Sequence, residues 1–208
     1  MTDGDRKCSQ VIRMNSLTEN KFLKWAGRHG IGIDENYPDS AALSFVPDPD
    51  LNRFWEVPEE PERRPFFIEL MLKVIGNWQS CYVWRHLGSW PEKPTSQSPN
   101  DKVEFQTLSG IGLPMGTTDI VKFEIEDIDR LVTLIFSTTI FGWSVGEDLY
   151  LIPDNAQYIL KTDHHGVLHV SFRNHGALDK CVKEMSEEGF PLPREIPDPT
   201  FKRPEWTK

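Results

Sequence analysis

The sequence predicts an α+β fold: an antiparallel sheet centred on a three-stranded meander at about 148–173, with helices packed on it. Two observations predict it. Apolar residues alternate with period two at 148–153, 157–163 and 167–173, and the short segments between these runs are rich in turn-forming residues. Other segments carry apolar residues at the spacing of a helix, so the chain mixes the two periodicities.

The second turn of the meander sets the pairing of its last two strands. A three-residue loop that ends at Gly166 suits a hairpin, because glycine readily takes the left-handed conformation that such a loop needs. This loop places Thr162 opposite Leu168 and Leu160 opposite Val170.

The first turn is predicted to be a three-residue loop at 154–156 that follows a proline, a residue that can end a strand. This loop places Ile152 opposite Tyr158 and Tyr150 opposite Leu160. The face that packs on the helices would then comprise Tyr150, Ile152, Tyr158, Leu160, Leu168, Val170 and Phe172. The opposite, half-apolar face would comprise Leu149, Leu151, Ile159, Lys161, Val167, His169 and Ser171. Such a face is either covered by a second layer or free to bind something else.

Capping signals and apolar periodicity predict four helices. The first follows a capping-box pattern at 16–19 and ends near His29, and Asn174 caps the last. The other helices are expected at 66–75 and at 128–140, and the last helix covers 175–188. Further strands are predicted at 42–46, 80–84, 102–108 and 119–124.

Proline content suggests the domain organisation. We expect a single α+β domain at 1–190, in which the irregular segment 32–65 wraps over the core, and a proline-rich C-terminal tail at 191–208. The apolar fraction of 38% is typical of a globular chain.

Charge and cysteine content restrict the classes of partner. A net charge of −9 argues against binding to nucleic acid or to an anionic membrane surface, because both need a basic surface. The chain has three widely spaced cysteines and no CxxC motif, which favours a reducing compartment. The longest apolar stretch, 131–145, is too short and too polar to span a bilayer. We therefore expect a cytoplasmic protein.

One motif points to an enzyme. Residues 142–146 read Gly-Trp-Ser-Val-Gly, a literal match to the G-x-S-x-G nucleophile elbow of α/β-hydrolases. In that elbow the serine, here Ser144, lies on a sharp turn from a strand to a helix. Here a predicted strand follows and a predicted helix precedes, so the context favours a simple helix-to-strand connection. A small hydrolase that uses Ser144 stays as an alternative.

A second enzymatic alternative is a metal site at the second turn of the meander. Asp163, His164, His165 and His169 are residue types that bind zinc or iron, and the predicted pairing places His169 diagonally from Asp163. Lys161 would lie beside such a site, which disfavours it. The sequence therefore assigns no cofactor and no metal.

A third hypothesis is a small-ligand site lined by aromatic side chains. The aromatic group comprises Phe54, Trp55, Trp78, Tyr82, Trp84 and Trp90. No basic stripe accompanies it, so packing in the core is the simpler interpretation.

The leading hypothesis is a non-enzymatic protein-binding protein. A small acidic α+β chain without a catalytic constellation resembles many bacterial immunity and adaptor proteins, an analogy that operates only at the level of the fold. The expected partner is a protein, and the negative charge is compatible with a basic one. The expected interaction surface comprises Leu149, Leu151, Ile159, His164, His165 and His169.

Overall fold

The computed structural model describes residues 15–34, 42–45, 51–74, 77–85, 88–141, 149–163, 166–190 and 192–195. The helices in these ranges are α1 (Glu19–Arg28), α2 (Arg64–Val74), α3 (Pro99–Gly110), α4 (Ile128–Phe141) and α5 (His175–Glu187). The strands are β1 (Asn15–Leu17), β2 (Ile31–Asp34), β3 (Ala42–Phe45), β4 (Asn52–Glu56), β5 (Ser80–Arg85), β6 (Ile120–Glu124), β7 (Leu149–Pro153), β8 (Tyr158–Asp163), β9 (Val167–Phe172) and β10 (Arg194–Glu195).

The predicted fold class is confirmed. Eight strands form one sheet in the order β1-β6-β5-β7-β8-β9-β4-β10, and each neighbouring pair is antiparallel. The meander β7–β8–β9 lies at the centre of this sheet, and β2 and β3 form a separate two-stranded sheet.

The two faces of the main sheet carry two hydrophobic clusters. Helices α2 to α5 pack over one face, where their apolar side chains join those of the strands in the larger cluster. The smaller cluster, on the other face, contains Phe22 and Ala26 of α1, Ile31 of β2 and Leu43 of β3. The fold therefore has three layers: helices, the main sheet, and a small layer made of α1 with the β2–β3 hairpin.

The pairing of β8 with β9 is the one that the sequence predicts. Thr162 lies opposite Leu168 and Leu160 opposite Val170. Gly166 takes φ +75°, the left-handed conformation expected at the end of this loop.

The pairing of β7 with β8 differs from the prediction by one residue. Leu151, not Tyr150, lies opposite Leu160. The loop between these strands has four residues, 154–157, instead of the predicted three. In this turn the amide of Ala156 donates to the carbonyl of Pro153 at 2.9 Å, and Ala156 takes φ +48°. Since side chains alternate along a strand, this shift exchanges the two faces of β7.

Two local predictions are wrong. Residues 102–108 form part of α3 and not a strand, because Ser98 Oγ accepts a hydrogen bond from the amide of Asp101 at 3.1 Å and Pro99 suits the first turn of a helix. The expected capping box at 16–19 is also absent. Ser16 belongs to β1 and donates to Asp119, while Thr18 occupies the N-cap of α1 without a side-chain hydrogen bond.

The predicted helices at 66–75, 128–140 and 175–188 correspond to α2, α4 and α5. The segment 32–65 contributes more than a covering, because β4 pairs along its whole length with β9. Residues 194–195 of the predicted tail pair with β4 as the two-residue strand β10, which the sequence analysis did not predict. No helix in the described ranges is long and apolar enough to cross a membrane.

Candidate binding surfaces

The apolar half of the predicted interaction surface, Leu149, Leu151 and Ile159, is buried. Leu149 and Leu151 are 0% exposed in the larger cluster, because the shifted pairing turns them toward the helices. Ile159 keeps its predicted face, but the layer of α1 with β2 and β3 covers it, leaving 2% exposed. A partner could reach none of these three side chains without unfolding a layer.

The structure describes one of the three histidines of the predicted surface. His164 and His165 lie outside the described residues. His169 is half-buried in β9, opposite Lys161 of β8 and Phe54 of β4, with its ring centroid 6.0 Å from that of Phe54. The predicted pairing of His169 with Lys161 is thus confirmed. In the part of the chain that the structure describes, no group of three His, Cys, Asp or Glu side chains is placed to hold a metal.

Ser144 and the rest of the G-x-S-x-G match lie outside the described residues, but the elements on either side are described. Helix α4 ends at Phe141 and strand β7 begins at Leu149. A nucleophile elbow needs a strand before the serine and a helix after it, the reverse of this order. The flanking elements therefore support the helix-to-strand interpretation.

The aromatic group does not line one cleft. Trp55, Trp78 and Trp90 are at most 2% exposed in the larger cluster, and Trp84 lies in the smaller one on the other face of the sheet. Trp78 Nε1 donates to the carbonyl of Leu72 at 3.1 Å, as is usual for a buried indole. These four tryptophans therefore pack in the core.

Buried thiols and phenols are equally unsuited to catalysis. Burial raises the pKa of the Cys181 thiol to about 12 and raises the pKa of the Cys81 thiol still further. Burial likewise raises the pKa of Tyr158 well above its ordinary value. A reactive cysteine needs a lowered pKa and access to solvent, and neither thiol has them.

Comparison with known proteins finds no relative of this chain. No family model, curated protein or solved structure matches the chain. The choice between surfaces therefore depends on the geometry alone.

Among the described residues, exposed apolar side chains lie where α2 begins and just after α5 has ended. Phe66 in the first turn of α2 is 49% exposed, and its ring centroid lies 5.8 Å from that of Phe190, just after α5. Leu192, two residues farther along, is 65% exposed. The guanidinium of Arg63 lies over the Phe190 ring, 5.1 Å from its centroid. We call the exposed residues Arg63, Phe66 and Leu192, together with the buried Phe190 that Arg63 and Phe66 contact, the Phe66 surface.

Acidic side chains border the Phe66 surface. Glu59, Glu60 and Glu62 lie in the turn that leads into Arg63, and all three are exposed. None of the three makes an ion pair within the described ranges. An apolar centre with aromatic and arginine side chains and a charged rim is the composition typical of protein-binding surfaces.

The sequence contains a signal for an exposed phenylalanine in α2. The segment 66–74 is apolar nearly all round, but a helix in the outer layer of a small domain must expose one side. Phe67 and Met71 are buried, so the exposed side follows from the helical period as Phe66, Glu69 and Lys73. An outward phenylalanine was therefore implied by the pattern.

Proposed function

We propose that this chain is a non-enzymatic protein-binding protein and that the Phe66 surface is where its partner docks. The observation that carries the proposal is the exposure of Phe66 and Leu192, 49% and 65%: Phe66 contacts Phe190, and Leu192 follows Phe190 by two residues. Large apolar side chains grouped on a surface typically mark an interaction site.

The rim indicates the chemistry of the partner. Glu59, Glu60 and Glu62, which make no ion pair with another described residue, lie in a chain of net charge −9 and favour a partner segment with lysine or arginine around an apolar anchor. The apolar anchor of the partner would bury Phe66 and Leu192. Burial of the surface that each still exposes would contribute about 1–2 kcal/mol to the free energy of binding. The glutamates would mainly accelerate association, because exposed charges steer the encounter more than they add affinity.

The test is quantitative capture of partners with matched variants. The tagged protein is compared with the double variant Phe66→Ser/Leu192→Ser and with Val103→Ser as control. Val103 is 50% exposed on α3, so its replacement removes a similar apolar side chain at another place. We expect at least one protein to be captured by the wild type and by Val103→Ser and to be lost with the double variant. Equal capture by all three would contradict the proposal.

A second comparison tests the rim. Glu59→Gln/Glu60→Gln and Glu126→Gln/Asp129→Asn remove the same charge from exposed sites. For the captured partner, the first pair should slow association several-fold at low ionic strength, whereas the second pair should leave the rate within about twofold. Surface plasmon resonance measures both rates. The same slowing by both pairs would show that only net charge matters and not this rim.

A further inference from the structure

A shallow depression of about 450 Å³ lies between the end of α1, the β7–β8 turn and the end of β9. Its lining includes Arg28, His29 and Arg173 and contains no carboxylate. Neither arginine makes an ion pair within the described part of the chain. In a protein of net charge −9, such a group of cationic side chains without acidic neighbours in the lining is unexpected.

Arg173 is held in a fixed orientation. Its Nε donates to the carbonyl of Ala156 at 2.7 Å, and Nη2 donates to the carbonyl of His29. The guanidinium lies over the ring of Phe45, 4.6 Å from the centroid. Among the described residues these contacts use two of its five N–H groups, so the other three can bind a ligand.

The amide side chains in the depression also present donors. Asn155 Oδ1 accepts from the amide of Gln157 at 3.2 Å, and Gln157 Nε2 donates to the carbonyl of Asn155 at 3.2 Å. A backbone amide can only donate and a carbonyl can only accept, so both side-chain orientations are determined. Gln157 Oε1 accepts from Asn174 at 3.5 Å, and Asn155 Nδ2 donates to Asn77 at 3.3 Å. Each amide oxygen is engaged, and each amide nitrogen has one N–H left.

Open carbonyls at the end of α1 would repel an anion, but those of Trp25, Ala26 and Gly27 are occupied. The amide of His29 bonds the carbonyls of Trp25 and Ala26, and the amide of Gly30 bonds that of Gly27. His29 Nδ1 also donates to the carbonyl of Trp25 at 2.8 Å. The negative end of the helix is therefore largely compensated.

We propose that this depression binds an oxyanion, the carboxylate or phosphate group of a small molecule. The guanidinium of Arg173 would bind two oxygens side by side, and Arg28, which belongs to the same lining, would supply a second cation. The remaining N–H groups of Asn155 and Gln157 would bind further oxygens. The volume is within the range of small-ligand sites. This site is separate from the Phe66 surface and does not depend on the proposed function.

The test is an NMR titration of the amide spectrum with sodium phosphate and, separately, with sodium succinate. Sodium chloride keeps the ionic strength constant, so that only specific binding is measured. We expect saturable shifts at 28–30, 155–157 and 173 with a Kd near or below about 1 mM for at least one of the two anions. The anion that saturates identifies the group that the site prefers.

Arg28→Ala and Lys24→Ala provide the matched pair of variants. Both remove one positive charge from the exposed side of α1, and within the described residues Arg28 bonds only the carbonyl of Lys24 in its own helix. Arg28→Ala should weaken binding about tenfold, whereas Lys24→Ala should change the Kd by less than about twofold. Absence of saturable shifts with both anions, or equal weakening by the two variants, would overturn the proposal.

Discussion

Arg173 Nε donates to the carbonyl oxygen of Ala156 at 2.7 Å. The same guanidinium bonds the carbonyl of His29 and lies over the ring of Phe45. One side chain at the end of β9 therefore connects α1, the β7–β8 turn and the β2–β3 hairpin. Only arginine offers several donors in one rigid plane together with a face that stacks on an aromatic ring.

Replacement of Arg173 with lysine should lower the free energy of unfolding by about 1–2 kcal/mol. Lysine keeps the charge but cannot bond both carbonyls and stack on Phe45 at once. Urea unfolding followed by circular dichroism measures the change. Arg28→Ala is the control and should fall within about 0.5 kcal/mol of the wild type. A loss for Arg173→Lys no larger than for this control would show that the connection adds little to stability.

Two buried tryptophans should differ in their response to Trp→Phe. Trp78 Nε1 donates to the carbonyl of Leu72, whereas Trp55 Nε1 has no hydrogen-bond partner among the described residues. Both side chains are at most 2% exposed, so each replacement leaves a cavity of similar size. Trp78→Phe should therefore lower the free energy of unfolding by about 1 kcal/mol more than Trp55→Phe, because it also leaves the buried carbonyl of Leu72 without this donor. Equal losses in thermal or urea unfolding would contradict this expectation.

The helix caps give a third comparison. Asn174 Oδ1 accepts from the amide of Ala177 at 2.9 Å, while the side chain of Thr18 makes no cap hydrogen bond. Asn174→Ala should lower the free energy of unfolding by about 1 kcal/mol, and Thr18→Ala should change it by less than about half as much. Urea midpoints at an unchanged m-value would measure both. A larger loss from Thr18→Ala would mean that the cap geometry does not decide helix stability here.

The sequence predicts a hairpin correctly where a glycine specifies its turn. Gly166 has φ +75°, and the pairing of β8 with β9 follows from it. In the β7–β8 turn the left-handed residue is Ala156, which has no intrinsic preference for that conformation. Tertiary contacts hold it there, among them the bond from Arg173, which is 17 residues away. Sequence reasoning limited to local turn chemistry therefore missed one register by a residue.

The error at 102–108 has a different cause. Val103 and Phe105 alternate with polar residues as in a strand, but Glu104 and Leu108 are the residues that α3 buries, four positions apart. Ser98 and Pro99 decide between the two periods, because they cap and begin α3. At this helix the cap is therefore a stronger local signal than the alternation.

The candidate surfaces could be predicted least. The sequence indicated a half-apolar sheet face, but whether α1 and the β2–β3 hairpin cover it depends on long-range packing. Likewise, Arg28, Asn155 and Arg173 are far apart in sequence and meet only because β9 ends beside the β7–β8 turn and α1. Periodicity identifies which side chains share a face of one element but not which elements meet.

The buried thiols should make the protein sensitive to alkali. The ordinary thiol pKa is 9.0, and burial raises the pKa of Cys181 to about 12 and that of Cys81 further. Below pH 9 both states keep these protons, so the stabilisation is fully present. Above pH 9 the unfolded state loses them and the folded state does not, so the free energy of unfolding falls as pH rises.

The expected loss between about pH 8 and about pH 10.5 is about 4 kcal/mol for the two thiols together. Urea unfolding at several pH values measures it, and the double variant Cys81→Ala/Cys181→Ala is the control. The variant should be less stable at pH 8, because it loses buried contacts in the core, but its stability should decline much less between the two pH values. Since Tyr158 is also buried with a raised pKa, some further decline above pH 10 should remain in the variant. If wild type and variant lost stability in parallel, the thiols would not be the groups whose ionisation opposes folding at high pH.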